Sequence, residues 1–515
     1  MSISTVIKSI QDIMRKDAGV DGDAQRLGQL SWLLFLKIFD AQEEALEFEQ
    51  GDAYREPIPE AYLWQFWAAD AQGMTGDELL GFVNDELFPD LKNLVAPIAT
   101  NPRGFVVKEA FSDAFNYMKN GTLLRQVINR LNEVDFTRSE ERHLFGDIYE
   151  QILRDLQSAG NAGEFYTPRA VTQFMVNRVN PRLGEKVLDP ACGTGGFLAN
   201  AVDHLRAQVK TAADHVTLQA QIFGVEKKQL PHLLCTTNML LHGIEVPVQI
   251  RHDNTLSRPL SSWDEDDQVD VVITNPPFGG TEEDGIEKNF PAEFQTRETA
   301  DLFLQLIIEV LKDGGRAAVV LPDGTLFGEG VKTKIKKLLL DTCNLHTIVR
   351  LPNGVFNPYT GIKTNLLFFT KGQPTREVWF YEHPYPAGVK NYSKTKPMKF
   401  DEFQTEIDWW GDAADGFAAR VETPQAWKVS IDTLMARNYN LDIKNPHVVE
   451  QESHDPEVLL ANYAQQQARI QALRDQLKGI LSKAFATNAL MDLSQKVSDR
   501  NQDLTDEQLE DLLRD

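Results

Sequence analysis

The stretch EKVLDPACGTGGF, from Glu185 to Phe197, passes from one kind of local structure to another within a few residues. A short apolar run precedes Gly193, Gly195 and Gly196, and a helical stretch, FLANAVDHLRAQV, follows them. Glycine lets a backbone turn tightly and approach a ligand without a clash from Cβ. A strand, a glycine-rich turn and a helix in this order are typical of the ligand-binding edge of an α/β sheet.

The same succession of apolar and helical segments continues through the middle of the chain. From about residue 183, apolar segments such as IFGVE, VQIRHDN, DVVITNPP and RAAVVLP alternate with helical ones such as HLLCTTNMLLHG and DLFLQLIIEVLK. This alternation predicts a Rossmann-like, doubly wound α/β sheet with helices on both faces. Two later runs, LHTIVRLP and TNLLFFTK, are joined by the loop 353–363, and we expect them to pair antiparallel at the sheet edge.

Three domains are expected from the change in pattern along the chain. Residues 1–150 show helical periodicity almost throughout, as in AQRLGQLSWLLFLKIFD, and predict an all-helical N-terminal domain. Residues 151–425 form the predicted α/β domain, and residues 426–515 a helical C-terminal tail. A length of 515 residues exceeds what one core supports and agrees with such a division.

Composition limits the classes of function. No N-terminal apolar segment of signal-peptide type is present, and the chain has three cysteines, Cys192, Cys235 and Cys343, with no CxxC pair. This favours a reducing, cytoplasmic location and argues against a disulfide or metal framework. The net charge of -24 would repel a polyanion if it were spread evenly, so a nucleic-acid role requires a local basic patch or a basic partner.

Four successive strand ends carry unusual residues, and in an open α/β sheet these ends meet at one edge. The first bears the glycine loop after Asp189, and the second ends in Glu226, which is placed to accept hydrogen bonds from ribose hydroxyls. The third offers Asp253 and Asn254 to an adenine edge, and the fourth ends in NPPF at Asn275. Each feature alone is weak evidence, but the four in this order predict a ligand site.

The glycine loop also narrows the choice of cofactor. A dinucleotide fingerprint needs a sixth-position glycine, where this loop has Leu198, and the G-K-[ST] signature of a phosphate-binding loop is absent from it. The loop therefore fits S-adenosyl-L-methionine best, which presents an adenosine and an amino acid rather than a phosphate.

The tetrapeptide NPPF suggests the chemistry. Two prolines end the strand and hold the loop rigid. The side-chain oxygen of Asn275 and the carbonyl of Pro276 could accept both hydrogens of an adenine amino group and free its lone pair for methyl transfer. Phe278 would stack on a base flipped out of the duplex. The predicted catalytic residues are Asn275, Pro276, Pro277 and Phe278.

Three motifs, NPPF, DPACGTGGF and GEFYTPRAV (Gly163 to Val171), resemble those of the N6-adenine DNA methyltransferases. LSWLLFLKIFD and FGVEKKQLPHLLCTTNMLLHG resemble more specifically the modification subunit of type I restriction-modification systems. The resemblance covers most of residues 1–375. It departs from the family pattern at RHDNTL, so either Asp253 or Asn254 could contact the cofactor adenine.

The resemblance implies a site-specific adenine-N6 DNA methyltransferase and assigns further residues. Phe165 to Pro168 would line the methionine end of the cofactor, Asp301 and Phe303 would lie near the cofactor or base, and Asn365 would lie beside the target base. Together with the strand ends, the expected cofactor-binding residues are Phe165, Tyr166, Thr167, Pro168, Asp189, Pro190, Gly193, Thr194, Gly195, Gly196, Phe197, Glu226, Asp253, Asn254 and Asn275.

The tail and the resemblance together predict partners. After Asp455, an apolar stripe at three- and four-residue spacing predicts a helix that packs on its own domain or engages a partner; its residues are Leu459, Tyr463, Ile470, Leu473, Leu477, Ile480 and Leu481. The resemblance favours a DNA specificity subunit, since no separate DNA-reading domain is evident. It also implies DNA bound through the complex and a second copy of the chain, and leaves open an endonuclease or translocase subunit.

Other functions remain to be weighed against this one. A protein-glutamine or RNA amino-methyltransferase could use the same NPPF loop, because an amide or exocyclic amine poses the same problem of nucleophilicity. A cytosine-C5 enzyme would need a nucleophilic cysteine at the base, and Cys192 sits inside the cofactor loop instead. An inactive assembly scaffold is the alternative of another class, and the intact NPPF argues against it.

Overall fold

The computed structural model describes residues 3–136, 167–357, 360–393 and 396–447, together with residues 463, 467, 470–471 and 473–478. Met1–His447 form one compact unit and Val448–Asp515 a second. No helix in the described part of the chain combines the length and apolarity needed to cross a membrane.

Residues 3–131 are mostly helical, and the bounds of the helices follow the apolar pattern. The helices are α1 Ile3–Met14, α2 Asp23–Gln50, α3 Trp64–Trp67, α4 Gly76–Gly81, α5 Phe88–Lys92, α6 Pro102–Phe111 and α7 Gly121–Leu131. The middle of α2, from Leu30 to Phe39, is buried almost all round, because α3, α5 and α6 supply Trp64, Leu91 and Phe111 to the same core. A helix apolar on every side is stable in water only when it is enclosed in this way.

One nine-stranded mixed sheet follows, in the order β3-β2-β1-β4-β5-β7-β6-β8-β9. The strands are β1 Val187–Asp189, β2 Ile222–Glu226, β3 Ile250–His252, β4 Val269–Thr274, β5 Leu311–Pro322, β6 Cys343–Arg350, β7 Thr364–Lys371, β8 Glu377–Glu382 and β9 Ala426–Ser430. Strands β1 to β5 are parallel, and β7 and β9 run antiparallel to their neighbours. The carboxyl ends of β1 to β4 therefore lie at one edge, as predicted.

Helices cover both faces of this sheet. They are α8 Arg169–Val179, α9 Gly196–Arg206, α10 Ala212–Ala220, α11 Gln229–Leu241, α12 Thr299–Val310, α13 Asp323–Phe327, α14 Val331–Thr342, α15 Gln404–Trp409 and α16 Ile431–Ala436. Alternate residues of β5 divide between the two cores: Ala318 and Val320 pack with α8 and α9, while Ala317 and Val319 pack with α12 and α14. The doubly wound fold predicted from the sequence is confirmed.

The far side of the sheet differs from the expectation. β6 and β7 pair antiparallel as predicted, but they are internal, because β8 pairs with β6 and β9 with β8. β8 was not predicted: its sequence EVWFYE lies in a segment rich in proline and aromatic residues, and four consecutive residues of it are buried. β9 begins at Ala426, the predicted start of the C-terminal tail, so the sheet extends past that boundary.

Helix α11 belongs to two cores at once. Cys235 and Met239 pack in the core beneath the sheet, whereas Leu233, Leu234 and Leu240 pack with the N-terminal helices. Its first residue, Gln229, donates from Nε2 to the carbonyls of Glu109 and Ala110, both at 3.1 Å. The N-terminal helices and the α/β sheet thus share a continuous interface.

Candidate active site

A cavity of about 230 Å³ opens at the carboxyl edge of β1, β2 and β4. Its lining comes from the glycine loop, the ends of β2 and β3, the NPPF loop and the start of α12. The lining residues are Thr167, Asp189, Pro190, Ala191, Cys192, Gly193, Thr194, Gly196, Phe197, Val225, Glu226, Lys227, Lys228, Asp253, Asn254, Thr255, Asn275, Pro277, Gly280, Thr281, Glu282, Thr299 and Phe303.

The glycine loop is shaped by close approach to α11. Gly195 has φ of +82°, and a Cβ on it would lie 2.7 Å from Sγ of Cys235. Gly193 also has a positive φ, and the loop continues directly into α9 at Gly196. Asn238 of α11 donates from Nδ2 to the Thr194 carbonyl at 3.1 Å. The loop therefore needs glycine at 195 for both its conformation and its packing.

Glu226 connects the second strand end to the glycine loop. Its carboxylate accepts from the backbone N–H of Gly193 at 3.0 Å and of Lys228 at 2.8 Å. The side chain is buried, and loss of solvation raises its pKa, while the two backbone donors act against that rise. Glu226 thus links the end of β2 to the glycine loop and keeps carboxylate oxygens at the cavity wall.

Asp253 and Asn254 both line the cavity, but their side chains differ in what they already bind. Asn254 accepts from the Leu256 N–H at 3.1 Å and donates to Glu282 at 3.4 Å. Asp253 is exposed and accepts only from the adjacent N–H of Asn254, at 2.8 Å, among the bonds of the described residues. The carboxylate of Asp253 therefore has more lone pairs left to accept hydrogen bonds than the amide oxygen of Asn254.

Asp189 is a buried carboxyl at the end of β1. Oδ1 accepts from Oγ1 of Thr274 at 2.6 Å and from the Ala191 N–H at 3.2 Å, and Oδ2 is buried with no described partner. Burial, opposed by these hydrogen bonds, raises the pKa of Asp189 to about 7. Because Thr274 immediately precedes Asn275, this bond couples the first strand end to the NPPF loop.

Asn275 is joined to the segment before α8. Its Nδ2 donates to Oγ1 of Thr167 at 2.9 Å, and its Oδ1 is buried without a partner among the described residues. A buried carbonyl oxygen left unpaired costs free energy, so such an atom requires an explanation. Here the unpaired oxygen belongs to the residue that the sequence predicts to bind the target amine.

The other three residues of the NPPF motif differ in their exposure to solvent. Pro276 is buried, Pro277 is exposed and lines the cavity, and Phe278 is half-buried, in contact with both cores of the sheet. Phe278 itself is not among the cavity-lining residues. The loop thus extends from the cavity towards solvent.

The three residues expected near the base are placed differently from one another. Phe303 lines the cavity. Asp301 is buried, and both of its oxygens accept from Nζ of Lys332, at 2.9 and 2.8 Å. Asn365 opposes Leu321 across β5 and β7, level with the NPPF loop on the same edge, and donates to Asp323 at 2.7 Å. Only Phe303 reaches the cavity wall.

Several residues of the site were not predicted from the sequence. Thr255 donates to the Pro190 carbonyl at 2.6 Å and ties the third strand end to the first. Glu282 pairs with Lys227 at 3.2 Å and faces Oγ1 of Thr299 at 3.5 Å, so residues after NPPF cross the cavity mouth. No motif identifies Glu282 or Lys227, because their pairing depends on how a long loop folds back.

Two predicted cofactor-binding residues, Phe165 and Tyr166, lie outside the described residues. Thr167 lines the cavity, and Pro168 is the N-cap of α8. Among the described residues, no group of three or more His, Cys, Asp or Glu side chains is arranged to hold a metal ion.

Two sequence families match this chain. The family described as N-6 DNA Methylase matches residues 140–455, and the HsdM N-terminal domain matches residues 3–131. The first family spans the site described above, and the second spans the N-terminal helices.

Individual proteins match over most of their length. The EcoEI type I restriction enzyme methylase subunit of Escherichia coli is 80% identical over 489 residues, covering 95% of this chain and 99% of that protein. The EcoKI methylase subunit of Escherichia coli K12 is 31% identical, covering 79% of this chain and 76% of that one. A solved structure from work on assembly of the type I R-M system has a TM-score of 0.78 at 37% identity, covering 93% and 98% of the two chains.

Proposed function

This chain belongs to the methylase subunits of type I restriction enzymes, and from that premise we propose that its strand-end cavity binds S-adenosyl-L-methionine beside an adenine held by Asn275. The chain is an adenine-N6 DNA methyltransferase, the modification subunit of its system. The observation that carries the proposal is the side-chain oxygen of Asn275 at the cavity, which is buried and has no hydrogen-bond partner among the described residues.

The donors and acceptors of the cavity fit this cofactor. Glu226 offers carboxylate oxygens to a ribose, and the glycine loop leaves room for a ligand against its backbone. Oδ2 of Asp189 is a buried acceptor without a described partner. When bound, S-adenosyl-L-methionine supplies an activated methyl group.

Asp253 rather than Asn254 is proposed to contact the adenine of the cofactor. Asn254 already uses its oxygen on the Leu256 N–H and its amide on Glu282. An exposed carboxylate at the cavity wall can accept from an exocyclic amine without breaking an existing bond. Calorimetry of cofactor binding to Asp253→Ala and Asn254→Ala tests this choice, and a larger loss for Asn254→Ala would reverse it.

The target base is proposed to bind at the NPPF loop. Oδ1 of Asn275 and the Pro276 carbonyl accept the two amino hydrogens, which draws the nitrogen towards a tetrahedral geometry and frees its lone pair. Because Nδ2 of Asn275 already donates to Thr167, the oxygen of the amide, and not its nitrogen, is the atom left for the base. Phe278 packs on the face of the flipped base. The proton released after transfer passes to water.

The specificity of methylation is proposed to come from a separate DNA specificity subunit engaged by the C-terminal tail. In the part of the tail that the structure describes, Tyr463, Ile470, Leu473 and Leu477 expose 62%, 43%, 57% and 57% of their surface. Apolar side chains with this exposure are suited to packing against another helix. A second copy of the chain would complete a complex that methylates both strands, with or without an endonuclease or translocase subunit.

The decisive experiment identifies the product. The chain is incubated with isotopically labelled S-adenosyl-L-methionine and DNA, with and without its copurifying partner, and the digested nucleosides are separated by mass spectrometry. Labelled N6-methyladenine is expected. Parallel reactions with RNA and with a glutamine peptide test the other amino acceptors, and label only in one of these would replace DNA as the substrate.

A further inference from the structure

The loops at the carboxyl edge of the sheet differ in the sign of their charge. The loop after β3, residues 253–268, carries five acidic residues and one basic residue, and the loop after β4, residues 279–298, carries six acidic and two basic. In contrast, residues 351–363 after β6 and 383–400 after β8 contain five lysines and no Asp or Glu. The loops after β3 and β4 are therefore acidic, and the loops after β6 and β8 are basic.

The two basic loops form one surface. β6 and β8 are parallel to each other and, through β7, run in the same direction as β5, so both loops leave the same edge as the NPPF loop. Tyr385 donates from its hydroxyl to the Asn353 carbonyl at 2.8 Å, and Asn357 donates to the Tyr392 carbonyl at 3.2 Å. These bonds hold the second loop against the first.

The lysines of this surface are available to a ligand. Lys363, Lys390, Lys396 and Lys399 are exposed, and none of them forms an ion pair with a carboxylate of the described residues. Lys396 stands in a turn closed by mutual backbone hydrogen bonds with Ser393, at 3.1 and 3.0 Å. The fifth, Lys394, lies outside the described residues. We call Lys363, Lys390, Lys396 and Lys399 the lysine surface.

Its distance from the catalytic loop suits a duplex. β4 lies three strand spacings from β6 and four from β8, so the two basic loops begin about 14 and 19 Å from the strand that precedes Asn275. Along one strand of DNA, phosphates recur about every 3.4 Å of helix axis, so these spans cover roughly four to six nucleotides. A duplex whose flipped base enters at Asn275 could therefore place its backbone over the lysine surface, while the acidic loops after β3 and β4 would repel it.

We propose that the lysine surface binds the phosphate backbone of DNA a few nucleotides from the target adenine and sets the side from which the duplex approaches. This inference rests on the proposed function, because it supplies the local basic patch that a chain of net charge -24 requires. Lysine suits this role because it neutralises phosphate as a point charge without reading sequence.

The test compares two triple variants of equal charge in the complex with the specificity subunit. The substitutions Lys363→Gln, Lys390→Gln and Lys396→Gln remove three of the four lysines of this surface. Control substitutions Lys186→Gln, Lys210→Gln and Lys371→Gln remove three lysines near the opposite edge; Nζ of Lys186 and of Lys371 donates to backbone carbonyls at 2.9 and 3.1 Å. DNA affinity is measured by fluorescence anisotropy as a function of salt.

The expected result is a decrease in the slope of log affinity against log salt by about 2 to 3 for the lysine-surface variant, since each phosphate contact contributes about 0.9. The control variant is expected to keep the wild-type slope, and both are expected to keep cofactor affinity. Equal slopes in the two variants would overturn the inference.

Two further readouts separate this inference from the proposed function. If the lysine-surface variant fails to copurify with the specificity subunit while the control variant copurifies, the surface binds protein and the inference is wrong. If the wild-type complex forms no N6-methyladenine, the proposed function itself fails, whatever the lysines do.

Discussion

Asn275 and Thr167 are 108 residues apart in the chain, and Nδ2 of the first donates to Oγ1 of the second at 2.9 Å. The bond orients the amide and leaves Oδ1 of Asn275 as a buried acceptor without a described partner. The proposed function assigns this oxygen to the amino group of the target adenine, for which it would be arranged before the substrate binds.

Replacing Asn275 by Ala should lower kcat for methyl transfer by about 10²- to 10³-fold, the range seen when one hydrogen-bonding group that acts on the reacting atoms is removed. Cofactor affinity should change little, since we propose that the amide acts on the base rather than on the cofactor. Single-turnover assays and calorimetry measure the two quantities. Thr167→Val, which removes only the orienting bond, should cost about 2- to 10-fold in kcat. Parallel loss of cofactor affinity would contradict the assignment.

Removing the ring of Phe278 should weaken capture of the flipped adenine. Stacking of a base on an aromatic side chain contributes about 1 to 3 kcal/mol, so 2-aminopurine at the target position should show less fluorescence gain in Phe278→Ala. The control is Phe327→Ala, at the end of α13, where 51% of the side chain is exposed at the same sheet edge. An equal effect of the two substitutions would remove the stacking role.

Adding a methyl group at Gly195 should distort the glycine loop. Its φ is +82°, and the new Cβ would lie 2.7 Å from Sγ of Cys235, so Gly195→Ala should lower Tm and abolish measurable cofactor binding. Gly184→Ala is the matched control, because Gly184 has φ of +89° but no atom within 4 Å of its Cβ position. Adding Cys235→Ala to Gly195→Ala should restore part of the Tm. No restoration would place the defect in backbone strain alone.

The buried carboxyl of Asp189 should make the stability of the cofactor-free protein depend on pH. Its pKa is raised to about 7, so between about pH 4 and 7 the folded state holds a proton that the unfolded state has released. The free energy of unfolding should therefore fall as pH rises, by up to about 1.4 kcal/mol per unit from this group.

Urea unfolding of wild type and Asp189→Asn at pH 5.5, 6.5 and 7.5 measures this contribution. Asparagine does not titrate, so the variant should gain stability relative to wild type as pH rises. The difference between the two proteins isolates Asp189 from the other buried carboxyls. A difference that stays constant with pH would show that Asp189 is ionised throughout this range.

Truncation after His447 should leave a folded, cofactor-binding protein, because residues 1–447 form a compact unit of their own. It should lose copurification with the specificity subunit and site-specific methylation. Full-length Ile470→Glu with Leu473→Glu tests the apolar stripe directly, and Gln471→Glu is the control on the same helix. Site-specific methylation by the truncated chain without a partner would place DNA reading within residues 1–447.

The sequence by itself determined the fold class and the set of strand ends that build the site. Alternating strands and helices force a parallel sheet, and parallel strands bring their carboxyl ends to one edge. For this reason the sequence alone was enough to assign three residues to one cavity, although they are spread over 50 residues of the chain: Glu226, Asp253 and Asn275. The roles of Gly195 and Pro276 could also be predicted from the sequence, because both residues act through local backbone conformation.

Only the tertiary structure decided which partners these side chains have. The ion pair of Asp301 with Lys332, the bond from Asn275 to Thr167 and the two faces of α11 each depend on long-range packing. The strand β8 was missed because a short apolar run amid prolines has no periodicity that separates it from a loop. A buried polar group takes whichever partner offsets its lost hydration, and that partner is set by the folded chain as a whole.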